Sequence, residues 1–270
     1  MIPILKSDPN TEEVAESLRA SGVVVIENFL SDDEVDLILD QLSGAIDKIP
    51  IAGDEFTGRR SQVISTVVKR SERYREFLVS ELYQSTVNSI LGDNCETWRL
   101  SASSLMSVFE GGQPQVMHRD EDLYRTWVDR SPESPSYLLS SILAMTDFTL
   151  ENGATRFVPD SHLQKIDTAH NPQIEVPAEM PKGSLAFWLG STLHGLGVNT
   201  TAKPRRGLIS ISAVGWLRQE ENFYGSVPQD LAREYPERLQ QMLGWQAHGD
   251  MGGYIPGRDP NNQLKPLDLS

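Results

Sequence analysis

Arg206-Gly207-Leu208-Ile209-Ser210-Ile211-Ser212-Ala213-Val214 alternates branched apolar residues with small ones, the pattern of a β-strand whose two faces meet different surroundings. Short apolar runs of similar texture precede it at 97–109, 138–147, 154–158 and 184–189, separated by Gly, Pro, Asn and Asp. Several short strands with turn signals between them predict a sandwich or barrel. The connections at 121–136 and 163–182 are long, and long connections inside a compact domain commonly carry function.

Outside this β region the texture is helical. Residues 11–20 predict a short helix and 22–27 a buried strand. Ser31-Asp32-Asp33-Glu34 has the form of a capping box. Val35, Ile38, Leu39, Leu42 and Ile46 keep a helical period behind it, so a helix is expected over 31–48. A second amphipathic helix is expected over 72–91, with Phe77, Leu78, Leu82, Ile90 and Leu91 inward, and 50–62 reads as a loop. Pro228 and Pro236 each suit the first residue of a short helix, and the Gly- and Pro-rich tail from 249 is expected to wrap the surface. No repeat or composition shift marks a boundary. One domain is therefore expected over 1–270, with helical support in 1–95, a β core in 96–216, and helices and a tail in 217–270. The predicted class is mainly β with flanking helices.

A formal charge of −14 and a pI of about 4.8 argue against nucleic acid and anionic membranes as partners, because both are held by basic patches. The single cysteine, Cys95, cannot form an intrachain disulfide and fits a reducing compartment. No apolar run has the length of a spanning helix, and Met1-Ile2-Pro3-Ile4-Leu5-Lys6 lacks the basic-then-apolar form of a signal peptide. A cytoplasmic location is expected.

The chemistry concentrates in two fragments far apart in the chain. His118-Arg119-Asp120 lies in the β region, where side chains at i and i+2 of an extended segment share a face. His194 closes the apolar run that begins at Leu185. Two imidazoles and one carboxylate form the set that holds Fe(II) on one side and leaves positions open, and the lack of thiolate disfavours structural zinc. Arg205 and Arg206 follow. A guanidinium grips a carboxylate through two parallel hydrogen bonds, so either suits a dicarboxylic co-substrate, but only one can face inward from a strand. Gln115 and Thr155 are neutral donors able to complete such a pocket. A His-x-Asp alone is a weak signal in an acidic chain with five histidines. The order of the parts strengthens it. His162, in Pro159-Asp160-Ser161-His162, reads as part of a turn, while His170 and His248 lack a carboxylate partner at ligand spacing.

These stretches together resemble the phytanoyl-CoA dioxygenase family of Fe(II)/2-oxoglutarate-dependent oxygenases. The resemblance rests on 22–31 (GVVVIENFLS), His118-Arg119-Asp120, 146–159 (TDFTLENGATRFVP) and Leu193-His194-Gly195 with Arg205, and it covers nearly the whole chain. It implies a double-stranded β-helix, a cupin-like jelly roll, braced by the N-terminal helices. It implies His118, Asp120 and His194 as the catalytic iron ligands and Arg205 as the anchor of 2-oxoglutarate. Gln115 and Thr155 resemble the co-substrate contacts of fungal members that tailor alkaloids and meroterpenoids, and such members imply a homodimer. Two positions depart from the family pattern. Asp160 stands where the family's turn has glycine, and aspartate tolerates a left-handed backbone better than most residues. Leu196 stands where some relatives carry a serine that helps hold the co-substrate.

The implied reaction consumes O2 and 2-oxoglutarate, releases succinate and CO2, and hydroxylates, desaturates or rearranges at an unactivated C–H bond. Asp120 argues against a halogenase, in which a small residue makes room for halide. Phe56 in 50–62, with Tyr124 and Trp127 in 121–136, is expected to line the entrance for a small apolar natural product such as a terpenoid, meroterpenoid or alkaloid. Three readings compete: an acyl-CoA hydroxylase of the same family, a non-catalytic jelly-roll binding module, and a metal-assisted hydrolase. The module needs no intact triad. The hydrolase needs a further general base and no arginine anchor.

Overall fold

A computed structural model describes residues 1–53, 60–124, 131, 133–164, 174–249 and 252–265. In chain order come β1 (Ile4–Leu5), α1 (Thr11–Ser21), β2 (Val23–Ile26), α2 (Asp32–Ile46), β3 (Ser61–Ser65), α3 (Val67–Arg70), α4 (Glu72–Leu78) and α5 (Glu81–Leu91). Then follow β4 (Trp98–Val108), β5 (Leu138–Ala144), β6 (Arg156–Phe157), β7 (Val176–Pro177), β8 (Leu185–Leu189), β9 (His194–Gly195), β10 (Arg205–Val214), α6 (Phe223–Ser226), α7 (Gln229–Arg233) and α8 (Glu237–Met242).

The strands make a large sheet, ordered β1-β2-β8-β5-β10-β4-β3, and a small one, ordered β7-β6-β9. Only the short β1–β2 pair is parallel. The sheets close on each other through an inner core in which Phe157 meets Trp188 edge to face, centroids 5.5 Å apart, with Val23, Val25, Ile142 and Ala186 around them. The outer face of the large sheet packs on the helices. This is the helix-braced jelly roll that the sequence implies.

The strand alternation now has a physical reading. On β8, Ala186 and Trp188 face the inner core while Leu185, Phe187 and Leu189 face the helices, so the strand is apolar throughout. On β10, Ser210 and Ser212 face the helices, where they pair with the hydroxyls of buried Tyr74 (2.7 Å, α4) and Tyr83 (3.0 Å, α5). The polar positions of the strand thus satisfy two phenols that could not otherwise be buried cheaply.

Several expectations are corrected. The helix expected over 72–91 is two helices, because Ser80 takes an extended backbone (φ −63°, ψ 148°) and starts α5. The stretch read as a loop runs into β3, an edge strand on β4 whose one exposed apolar residue, Val63, gives little periodicity. Pro228 and Pro236 sit just before α7 and α8 rather than at their first residue. The tail is pinned as well as wrapped, for Asn262, Gln263 and Leu264 are buried and Asn262 Nδ2 donates to Gln240 Oε1 at 2.8 Å. Among the described residues, no helix is long and apolar enough to cross a membrane.

The capping box of α2 forms as read: Ser31 Oγ accepts from Glu34 N (3.4 Å) and the Glu34 carboxylate accepts from Ser31 N (2.7 Å). Ser31→Ala is expected to cost about 1 kcal/mol, lowering the urea midpoint with an unchanged slope. An unchanged midpoint would show that the cap contributes nothing.

Candidate metal centre and its cavity

His118 and His194 are brought together by their own backbones. Each N–H donates to the other's carbonyl at 2.9 Å, an isolated antiparallel bridge that continues the small sheet beyond β9. Each ring is then fixed by a bond to the carbonyl two residues earlier, His118 Nδ1 to Val116 O and His194 Nδ1 to Thr192 O, both 3.0 Å. A carbonyl only accepts, so Nδ1 carries the proton and Nε2 presents its lone pair. The two Nε2 atoms lie 3.7 and 3.5 Å from Asp120 Oδ1.

Asp120 Oδ2 is held instead by Ser140 Oγ (2.6 Å) and Trp188 Nε1 (3.1 Å). These donors come from directly opposed residues of β5 and β8. One carboxylate oxygen is thus held by the sheet and the other joins the histidines. Asp120 opens a 3-10 turn, Asp120–Tyr124, rather than continuing an extended segment, yet both ligand side chains still converge. The three ligand atoms lie within 4.8 Å of one another, and no fourth ligand joins the group among the described residues. Two nitrogens and one oxygen suit Fe(II) with open positions. Cys95 is occupied elsewhere, its thiol donating to Leu91 O at 3.3 Å.

Arg119 carries the motif's connection to the rest of the site. It is buried, and it donates from Nε to Ser191 O (2.9 Å) and from Nη2 to Ser161 O (3.3 Å). It therefore ties the first two ligands to the turn before His194 and to the 159–162 turn. In that turn Asp160 adopts the left-handed conformation (φ 65°, ψ 2°), as expected of an aspartate in a glycine position. His162 donates from Nε2 to Arg19 O at 3.0 Å, a structural contact, and His248 pairs with Thr97 Oγ1 at 3.1 Å. His170 lies outside the described residues.

The electrostatics follow from burial and proximity. Burial of Asp120 favours its neutral form, but His194 and His118 outweigh it and hold the carboxyl well below its usual range. Burial works to lower the His118 pKa, yet Asp120 prevails and raises it, whereas burial prevails at His194 and lowers it. The carboxylate is ionised and ready to bind a cation.

The triad opens into a cavity of about 460 Å³ that Gln115, Thr155, Leu196 and Arg205 also line, with Met106, Ile142, Ile209 and Ile211 as apolar walls. Arg205 is 1% exposed. Its Nε and Nη2 donate to Gly153 O (3.2 and 2.8 Å), its guanidinium lies 4.3 Å over the Phe148 ring, and among the described residues its Nη1 has no partner. Burial pulls its pKa down to about 9. A buried cation with an unused donor is a place for a carboxylate. Gly153 presents its carbonyl from φ +87°, where a Cβ would meet Gly197 O at 2.8 Å. Arg206 faces the other way, half-buried in a surface cleft with Asp147 and Lys182. Gln115 Oε1 accepts from Leu196 N at 3.2 Å, and Leu196 supplies apolar wall where some relatives have serine.

Of the three aromatic residues expected at the entrance, Phe56 and Trp127 lie outside the described residues. Tyr124 is half-buried near Glu220 and Asp120, and burial pushes its hydroxyl up to about 12. Sequence reasoning missed Ser140, Trp188, Glu220 and the tethering role of Arg119. Only Trp188 carried a signal, since a buried indole N–H requires an acceptor.

The sequence model of the family described as "Phytanoyl-CoA dioxygenase (PhyH)" matches residues 18–207. Among curated relatives, multifunctional dioxygenase prhA of Penicillium brasilianum is 32% identical over 262 residues, covering 91% of this chain and 87% of the relative. Dioxygenase trt7 of Aspergillus terreus is 30% identical over 243 residues, covering 87% and 84%. Among solved structures, the epimerase SnoN in complex with Fe3+, alpha ketoglutarate and nogalamycin RO superposes with a TM-score of 0.62 at 18% identity, covering 96% of this chain and 95% of that one. At that identity the match speaks for the fold.

Ser140→Ala removes one of the two donors on Asp120 Oδ2 without touching a ligand atom. Mn(II) affinity, read by calorimetry, is expected to fall about 10- to 100-fold while the circular dichroism spectrum stays unchanged. Unaltered affinity would mean that Asp120 is positioned by the backbone alone.

Proposed function

The chain belongs to the phytanoyl-CoA dioxygenase family, and from that premise we propose that it is an Fe(II)/2-oxoglutarate-dependent dioxygenase oxidising an unactivated C–H bond of a small apolar natural product. The carrying observation is the convergence of three ligand atoms within 4.8 Å in the same cavity as a buried guanidinium with an unused donor. A metal-assisted hydrolase has no use for that guanidinium.

In this reading His118 and His194 hold the iron through Nε2 and Asp120 through Oδ1. The bound iron supplies dioxygen activation, coupling C–H oxidation to the conversion of 2-oxoglutarate to succinate and CO2. Arg205 takes the far carboxylate of 2-oxoglutarate, Nη1 donating, with Thr155 and Gln115 beside it. Ser140 and Trp188 occupy Asp120 Oδ2, so that Oδ1 is the oxygen left to hold the iron. Met106, Ile142, Leu196, Ile209 and Ile211 exclude water and pack the substrate. The relative prhA is a multifunctional dioxygenase, which supports more than one oxidative outcome at a single site.

Anaerobic addition of Fe(II) and 2-oxoglutarate should produce a weak visible charge-transfer band that His118→Ala abolishes. Wild-type protein that shows no band and forms no succinate would falsify the proposal. Arg205→Ala should raise the 2-oxoglutarate requirement about 10- to 100-fold, the worth of a charge-assisted pair, with iron still bound. An unchanged requirement would place the anchor elsewhere.

A further inference from the structure

The inner face of β10 carries Arg205, Gly207, Ile209 and Ile211, and the paired face of β4 carries Met106, Ser104 and Ala102. At about 3.3 Å per residue, Arg205 and Ile211 stand about 20 Å apart along the strand. The cavity therefore has two ends. Arg205 marks the co-substrate end.

The other end is built around a β-bulge. Ile211 pairs with Ala102 but Ser212 pairs with Leu100, which leaves Ser101 out of register. Such bulges re-aim a chain next to active sites. Here Ser101 holds the segment after β10: its carbonyl accepts from Glu221 N (2.8 Å), and its hydroxyl accepts from Glu220 N (3.1 Å) and donates to Glu220 Oε1 (3.4 Å). Glu220 thereby opens its carboxylate into the cavity.

The neighbouring carboxylates are used. Asp120 Oδ2 takes Ser140 and Trp188, Glu121 Oε1 takes the N–H groups of Tyr137 and Leu138, and Glu221 Oε1 takes the hydroxyls of Thr66 and Ser226. Glu220 has the one long bond from Ser101 and, among the described residues, no Lys or Arg partner. Glu220 is exposed to solvent where it lines the cavity, and partial desolvation, then the charge of Asp120, pushes its carboxyl up to about 7. With co-substrate in place, the charges of 2-oxoglutarate and Asp120 are matched by a ferrous ion and Arg205. The charge of Glu220 is left over.

We propose that Glu220 is the specificity-determining residue of this cavity and that it selects a substrate carrying a protonated amine on an otherwise apolar skeleton. The proposal rests on the oxygenase reading of the same cavity and narrows its substrate class. An ammonium group at Glu220 gains a charge-assisted hydrogen bond beside the apolar side chains of the same wall. The acidic chain, with Asp122 also on the cavity wall, attracts a cation and repels a polyanionic acyl-CoA.

The test uses the full chain loaded with Mn(II) and 2-oxoglutarate under conditions of no turnover. A series of rigid polycyclic amines is titrated by calorimetry against the matching alcohols and carboxylates. The amines are expected to bind at least about tenfold more tightly than the alcohols, with the carboxylates weakest. In Glu220→Gln that preference should shrink to about twofold or less, with Mn(II) and 2-oxoglutarate affinities unchanged. Glu220→Asp should restore part of it. Loading that succeeds without any amine preference, or a preference that survives Glu220→Gln, overturns the proposal and leaves the oxygenase reading standing. Failure of Mn(II) and 2-oxoglutarate to load overturns both.

Discussion

Two reciprocal backbone hydrogen bonds between His118 and His194 are the constraint on which the site depends. They set the separation of two ligands that are remote in sequence, and they do so with groups that no side-chain substitution removes. The contacts around them refine the result. Val116 and Thr192 carbonyls select the tautomer, and Trp188 and Phe157 pack against the His194 ring at 5.1 and 5.8 Å. A loop presenting the same side chains without the bridge would have to order them at the moment of metal binding and forfeit the corresponding entropy.

The candidate ligand positions were legible in sequence from residue type and order. The reading of His118 and Asp120 as an i, i+2 pair on an extended segment gave way to a 3-10 turn opening at Asp120, with the two side chains still converging, while His194 ends a run apolar enough to be a strand buried on both sides. The choice between Arg205 and Arg206 was not legible, since alternation says only that the two point opposite ways. Register puts Arg205 on the inner face beside Gly207, Ile209 and Ile211, which supports it as the anchor. The Ser140–Trp188 clamp was invisible for a stronger reason. Those residues are cross-strand neighbours on β5 and β8, and pairing between distant strands leaves no local trace. The break between α4 and α5 lay hidden as well, because a continuous apolar period spans it and only Ser80, a residue equally at home on a helix surface, marks the cap.

Burial of Arg205 would be an expensive way to stabilise a fold. Among the described residues its only acceptor is the Gly153 carbonyl, and a lone carbonyl does not repay removal of a guanidinium from water. A chain that keeps a buried cation at one end of an apolar cavity holds stability in reserve, returned when a ligand of complementary charge binds.

This arrangement also orders the ligands in space. In the proposed reading the dicarboxylic co-substrate is drawn to Arg205 and a cationic substrate to Glu220. In that reading each end discriminates without either ligand competing for the other's anchor. A wholly apolar cavity of the same volume would bind both by area alone, and nothing would fix which atom of the substrate faces the metal. In that reading, placement of the reacting bond relative to His118, Asp120 and His194 follows from the charge of Arg205, which opens β10, and of Glu220, six residues after β10 ends, and the apolar walls set only what shape can reach across.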